Sequence, residues 1–136
     1  MGGITMCWET RLKECQIKRT AVNDIQVYKI LRERRTWILN RIKYISPYYD
    51  RRYKLNKIYK SRLELDSQTR EDVLIIKKGL HSFTNLQHAE YYRAAGEPYC
   101  ETWIIFKAII PKRSTYYTNE IGEIVSNKLK IVEICG

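Results

Sequence analysis

The chain of 136 residues contains no long apolar run. Its longest apolar stretches, residues 73–76 and 103–106, fall far short of the roughly 20 residues that a membrane-spanning helix needs, and they suit buried strands instead. The first residues also lack the basic segment and apolar core of a secretory signal peptide. We therefore expect a protein with no membrane partner, located in the cytoplasm.

Closely spaced metal ligands are missing as well. The four cysteines include no Cys-x-x-Cys pair, and the chain has only two histidines, His81 and His88. A structural zinc site usually brings two close pairs of ligands, so we expect no metal and no other cofactor. No pattern of Cys and His marks a nucleophile either, so we assign no catalytic residue. Cys100 and Cys135 lie at the ends of apolar runs and are expected to be reduced, partly buried thiols.

Acidic residues are scarce in the first half of the chain. Residues 11–62 contain 16 Lys and Arg against four Asp and Glu, a net charge of +12, whereas the rest of the chain is nearly neutral. Aromatic residues are interleaved with these cations, namely Tyr28, Trp37, Tyr44, Tyr48, Tyr49, Tyr53 and Tyr59. Cations and aromatic faces together hold phosphates and bases, so the sequence predicts an anionic, nucleotide-type partner.

The composition is that of one globular domain. A length of 136 residues and an apolar content of 44% allow a single buried core. We assign this domain to residues 24–136 and treat residues 1–23 as an N-terminal extension that is ordered in part.

Short strands dominate the sequence pattern. Residues 25–31 and 37–45 are rich in β-branched and aromatic side chains and predict a hairpin, with residues 33–36 as its polar turn. Pro47 ends the second strand because it has no amide hydrogen for the sheet. Further short strands follow along the chain. The predicted fold class is therefore α+β, with a small antiparallel or mixed sheet.

One helix is predicted over residues 84–95. Thr84 opens a capping box, in which its hydroxyl binds the amide three residues further on. Gly96 stands where a left-handed C-terminal cap belongs. Leu86 and Ala89 recur at helical spacing and are expected to face the sheet.

Five segments form an ordered pattern along the chain. Residues 24–29, 46–49, 78–83, 109–117 and 123–128 read DIQVYK, SPYY, KGLHSF, IIPKRSTYY and EIVSNK. In order and spacing this pattern resembles a group of small, largely uncharacterised proteins from bacteriophages and gut bacteria. The usual form of the group has Gly in its Ile-Pro-Lys-Gly loop, where this chain has Arg113. The resemblance implies a phage-type accessory protein, active in the host cytoplasm.

A weaker likeness concerns enzymes. The order of a Gly-x-His strand, a helix and an apolar strand ending in Pro-Lys is similar to the layout of ADP-ribosyltransferase-like folds. That likeness implies catalytic roles for His81, for Tyr116 or Tyr117, and for Glu120 or Glu123. The Ser-Thr-Ser and Glu-x-Glu strings of such enzymes are missing from the chain.

The candidate ligand-binding residues are cations, tyrosines and the polar residues before the helix. They are Lys29, Tyr48, Tyr49, Arg52, Tyr53, Lys78, His81, Ser82, Lys112, Arg113, Tyr116 and Tyr117. Amides at the start of a helix, with Ser82 nearby, form a natural site for phosphate. The alternative for His81 is a buried, hydrogen-bonded histidine that anchors the corner between strand and helix. Of Tyr116 and Tyr117, one is expected in the core and the other free to stack on a base.

Several functions fit these residues. The first is non-enzymatic binding of a small anionic nucleotide, by which a phage protein sequesters a host defence signal like a sponge. The second is a basic accessory protein that binds nucleic acid, and the third is the ADP-ribosyltransferase-like enzyme. A protein inhibitor that meets an acidic host partner is a further alternative.

Ligand size separates the first two functions. A small nucleotide requires one concave site, formed by Lys78, His81, Ser82, Lys112, Arg113 and a tyrosine. A nucleic acid requires the cations of residues 29–62 to spread over an open face. Because a small nucleotide-binding protein often builds its pocket between subunits, we also expect a homo-oligomer.

Overall fold

The computed structural model describes residues 8–10, 18–36, 41–46, 51–65, 74–96, 102–119 and 122–135. Within these ranges the elements, in chain order, are β1 (Trp8–Thr10), β2 (Arg19–Thr20), β3 (Ile25–Thr36), β4 (Arg41–Ile45), β5 (Arg52–Tyr53), β6 (Ile58–Lys60), β7 (Glu64–Leu65), β8 (Leu74–Lys78), β9 (Leu80–Phe83), α1 (Leu86–Gly96), β10 (Thr102–Ile110), β11 (Thr115–Thr118), β12 (Glu123–Ser126) and β13 (Lys128–Ile134).

The strands form two antiparallel sheets. The larger sheet has ten strands, eight of them in the order β2-β11-β12-β9-β3-β10-β13-β6, with β4 beside β3 and β5 beside β4. The smaller sheet has the order β1-β8-β7. An antiparallel sheet with one helix was expected, and in this coarser form the prediction is confirmed. Because the described residues contain far more strand than helix, this part of the chain is mainly β rather than distinctly α+β.

The larger sheet curls back on itself. Strands β12 and β13 are separated by three strands in the sheet, which in a flat sheet places them about 19 Å apart. Asn127 alone connects them along the chain, and two peptide units span at most about 7 Å. The sheet therefore rolls up with staggered strands, as sheets do when they approach a barrel.

The inside of this roll holds the main core. Buried side chains from six strands meet there, namely Val27, Leu31, Tyr53, Leu80, Phe106, Ala108, Ile110, Ile124, Leu129 and Ile131. A second cluster of Ile76, Tyr117 and Val125, with Leu63 packed against it, joins the smaller sheet to β11 and β12. Alternation along each strand separates inward from outward side chains.

The hairpin of β3 and β4 confirms one prediction and corrects another. The two strands pair from Arg32 opposite Ile45 to Thr36 opposite Arg41. The predicted turn at residues 33–36 is wrong, because these residues continue β3. They pair with β4, and Glu33 also pairs with Thr102 of β10.

The helix begins two residues later than predicted. Asn85 caps it, because its Oδ1 accepts a hydrogen bond from the His88 amide at 2.8 Å. The predicted cap, Thr84, instead donates from its amide and its hydroxyl to the carbonyl of Gly122, at 2.7 and 3.0 Å. Gly122 has a φ of 87°. A Cβ at this position would lie 2.6 Å from His88 Nδ1, so glycine lets the turn dock closely on the helix start.

The helix packs on the outer face of the roll. Ala89 is fully buried there with Ile30 and Ile105, and Leu86 packs against the same cluster, so the predicted sheet-facing stripe is confirmed. Gly96 is the last helical residue rather than a residue beyond the helix end. Among the described residues, no helix has the length and apolar character to cross a membrane.

The N-terminal extension contributes strands to both sheets. Trp8 of β1 pairs with Ile76 of β8, and Thr20 of β2 pairs with Thr115 of β11. The amide of Ala21 donates to the carbonyl of Ser114 at 2.8 Å, and Ala21 is buried. Part of residues 1–23 is therefore integral to the fold.

Candidate functional site

The two edges of the rolled sheet meet at Asn127. Its amide donates to the carbonyl of Thr115 in β11 at 3.1 Å, and its side-chain Oδ1 accepts from the Thr115 amide at 2.9 Å. Its carbonyl accepts from the amide of Ser61, just after edge strand β6, at 2.9 Å. Asn127 therefore connects β11, the neighbour of edge strand β2, with Ser61, which directly follows edge strand β6.

A cleft of about 620 Å³ lies along this junction, and we call it the seam cleft. Its lining residues are Lys18, Lys60, Ser61, Arg62, Leu63, Thr115, Asn127 and Lys128. Four of these side chains are cationic, and no Asp or Glu lines the cleft within the described ranges. Ser61, Thr115 and Asn127 add hydroxyl and amide groups to the lining of the cleft.

Two of the cations are directly opposite each other. Strands β6 and β13 pair so that Lys60 faces Lys128. Leu129 and Ile131 point into the core, so Lys128 and its alternate neighbour Lys130 point outward. Side chains in such cross-strand pairs start about 5 Å apart, and like charges there destabilise the sheet. Neither Lys60 nor Lys128 has an ion-pair partner in the part of the chain that the structure describes.

A second polar cluster lies inside the roll and combines the side chains of Lys29, Tyr53 and Ser82 with the backbone carbonyl of His81. Lys29 is 6% exposed, and its Nζ donates to the carbonyl of His81 at 2.6 Å. The same Nζ lies 5.5 Å from the centre of the Tyr53 ring. Ser82 is buried beside them on β9, on the inward side with Leu80. The guanidinium of Arg51 lies over the Tyr59 ring and donates to the carbonyl of Lys60 at 2.9 Å.

Burial favours the neutral form of Lys29, His81 and Tyr53. Burial lowers the pKa of Lys29 to about 7, and the charge of Arg51 acts in the same direction. Burial also lowers the pKa of His81 to about 3, with the charge of Lys29 as the second cause. Burial raises the pKa of Tyr53 to about 12, although Arg51 opposes this shift. His81 is partly exposed on β9, and both roles considered for it stay predictions.

The other predicted cations do not join this cluster. Lys78 is exposed, and its Nζ lies 3.6 Å from a carboxylate oxygen of Glu64. Lys112 and Arg113 lie exposed in the turn between β10 and β11, where the Lys112 amide bonds to Asp24 Oδ1 at 2.8 Å. Arg52 is exposed on β5. The convergence expected for a small nucleotide is thus not formed by these residues.

The predicted tyrosines are placed differently from one another. Tyr117 is buried against Val125, which raises the pKa of its hydroxyl through burial. Tyr116 is half-buried beside the inner core, on the opposite face of β11. Tyr48 and Tyr49 lie outside the described residues.

The residues implied by the ADP-ribosyltransferase likeness lie on separate strands. His81 and Tyr117 both pair with Val125, from opposite sides. Two strand spacings, about 10 Å, therefore separate their backbones. Glu123 lies two residues before Val125 on β12, and Glu120 is outside the described residues.

The seam cleft was missed by sequence reasoning. None of its cations is among the candidate residues, and Lys128 comes from the half of the chain with little net charge. The sequence contains one indication of these cations. Lys128 and Lys130 lie on either side of Leu129, an alternation that is typical of a strand with a basic outer face. The contacts of Asn127 with residues 115 and 61 continue the pairing of β11 with β12 and of β6 with β13, which no local sequence pattern records.

Comparison of the chain with protein-family models, curated proteins and solved structures finds no match.

Proposed function

We propose that this protein binds a phosphate-bearing nucleotide ligand in the seam cleft and does not alter it chemically. The observation that carries the proposal is the direct pairing of Lys60 with Lys128, in a cleft that also contains Lys18 and Arg62 and has no acidic lining in its described part. A bound phosphate between the two lysines turns a repulsive pair into an attractive site.

The lining of the cleft can accommodate a small ligand. The cleft is open to solvent, so its volume of about 620 Å³ holds either a small nucleotide or a short segment of a longer strand. Ser61, Thr115 and Asn127 supply the few polar groups that orient such a ligand. The four cations suit phosphates, whereas no aromatic side chain lines the described part of the cleft to stack on a base.

Nucleic acid is the second candidate, and a specific observation favours it. Lys130 extends the basic outer face of β13 beyond the cleft, and Lys57 and Lys54 are exposed on the adjoining segment. Such a track suits the backbone of a longer strand. Among the described residues, the dispersed positions of Lys78 and Lys112 also fit a spread surface better than one closed pocket.

A binding screen on the full chain tests the proposal. Thermal unfolding is followed with cyclic nucleotides, cyclic oligonucleotides, ADP-ribose derivatives, short DNA and short RNA. A raised midpoint with a small nucleotide, and a Kd that depends weakly on salt, supports the first candidate. Binding to oligomers alone, with a steep loss of affinity as salt increases, replaces it with the second. No stabilisation by any phosphate compound rejects both.

The biological role follows from the resemblance to phage proteins. A binder that does not consume its ligand lowers the free concentration of a host nucleotide signal by sequestration. Recovery of the ligand unchanged after release from the protein supports this role. Release of nicotinamide from NAD instead supports the ADP-ribosyltransferase-like alternative.

A further inference from the structure

The interior amine of Lys29 has an unusual set of neighbours. Lys29 lies between Val27 and Leu31 on β3, both of which are fully buried in the core. Its Nζ bonds to the carbonyl of His81 and faces the ring of Tyr53. Burial brings its pKa to about 7, so a large fraction of the amine is neutral in neutral solution. A neutral amine is a nucleophile, whereas an ammonium ion is not.

The surroundings of this amine contain positive charge and hydrogen-bond donors. Because Tyr28 pairs with Phe83 in antiparallel register, the next residues, Lys29 and Ser82, are neighbours on the inner face. Ser82 is 3% exposed, and its Oγ has no hydrogen-bond partner within the described part of the chain. Arg51 lowers the pKa of Lys29 by its charge.

We propose that Lys29 is a carbon dioxide-binding lysine, whose Nζ forms a carbamate inside the folded protein. The Nζ lone pair attacks the carbon of CO₂ and forms an N–C bond. One C=O π bond breaks, and its electrons move to oxygen. The nitrogen loses one proton to solvent, so the neutral amine and CO₂ yield a carbamate anion and one proton, with no change in oxidation state.

The site matches this product. CO₂ is small and uncharged, so it enters an apolar interior with little loss of hydration. The carbamate nitrogen keeps one N–H group, which preserves the hydrogen bond to the His81 carbonyl. The new anion accepts a hydrogen bond from Ser82 and is attracted to Arg51, which converts a repulsive pair of basic groups into an attractive one. None of the residues assigned to this modification lines the seam cleft.

Chemical trapping tests the modification on the wild-type chain. The protein is equilibrated at pH 8 with ¹³C-labelled bicarbonate and CO₂, treated with triethyloxonium to convert carbamates into stable ethyl esters, and digested for mass spectrometry. We expect a labelled ethoxycarbonyl group on Lys29 and none on Lys78, which is exposed and ion-paired with Glu64. An unmodified Lys29 at saturating CO₂, or equal labelling of Lys29 and Lys78, overturns the proposal.

Two variants sharpen the test. S82A keeps the nucleophile but removes one donor to the carbamate, so we expect it to need about tenfold more CO₂ for half-occupancy. In K29M the ethoxycarbonyl label at position 29 must be absent, while the labelling of the other peptides is unchanged. Circular dichroism checks that each variant is folded. Unchanged CO₂ affinity in folded S82A contradicts the assigned geometry, and the wild-type labelling result does not depend on either variant.

Discussion

Two single residues of this fold are in energetically unfavourable environments. Lys29 brings an amine into an apolar core, and Arg113 adopts a φ of 76°, a left-handed conformation that side chains with a Cβ rarely take. The charge pattern of the sequence identified Lys29 as a candidate residue, but not its burial. Burial depends on strands β5 and β9, whose contacts with β3 no local pattern records.

The pH dependence of stability tests the burial of Lys29. The unfolded chain keeps this amine protonated up to its ordinary pKa of 10.5, whereas the folded chain releases the proton near pH 7. Between these pH values the unfolded state binds more protons, so the free energy of unfolding rises with pH. Since one pKa unit corresponds to about 1.4 kcal/mol, we expect a total rise of several kcal/mol.

Urea unfolding in CO₂-free buffer measures this effect. The free energy of unfolding of the wild type, minus that of K29M, is expected to increase between pH 7 and pH 10. K29M removes only the titrating amine, so effects of other groups cancel in the difference. A difference that stays constant over this range contradicts the burial of Lys29.

Arg113 provides a test of backbone strain. Its amide donates to the carbonyl of Ala21 at 2.8 Å, so the turn is fixed in place. Replacement by glycine removes the clash of Cβ at positive φ, and we expect R113G to stabilise the protein by about 1 kcal/mol. R113A is the control, because alanine keeps the Cβ and loses the charge. Equal stabilisation by both variants in urea titrations points to charge rather than strain.

At the scale of elements, the sequence predicted local structure better than boundaries. The hairpin and the helix were predicted because hydrophobic periodicity is local. The turn at residues 33–36 was misplaced because polar residues there pair with β4 and β10. The helix start was misplaced because Thr84 bonds to Gly122, a residue distant in the sequence. Long-range contacts therefore set the ends of these elements.

Variants of Asn127 test how β11 is held at the junction of the sheet edges. N127A removes the acceptor for the Thr115 amide, so we expect a loss of about 1–2 kcal/mol in stability and faster hydrogen exchange at that amide. N127D keeps an acceptor and places a negative charge beside Lys128, so its stability is expected to stay near that of the wild type or exceed it. If N127A and N127D are destabilised equally, the side-chain bond does not hold the seam together.

At the scale of the whole molecule, the charge pattern located the basic half of the chain but not the seam cleft. The anionic partner stays a prediction. The described fold places Lys18, Lys60 and Arg62 from that half beside Lys128 from the other. Folding thus concentrates charge where the sheet edges meet, which composition alone does not specify. The expected homo-oligomer stays a prediction, which analytical ultracentrifugation of the full chain tests.

The most direct measurement compares ligand affinity in two variants of equal net charge. K60Q/K128Q removes the facing lysines of the seam cleft, and K54Q/K112Q removes two exposed lysines outside it. For the small nucleotide of the screen that binds best, calorimetry is expected to show at least tenfold weaker binding for K60Q/K128Q alone. Without ligand, K60Q/K128Q is expected to gain a few tenths of a kcal/mol in stability as the repulsion disappears. Equal affinity in both variants contradicts the assignment of the seam cleft.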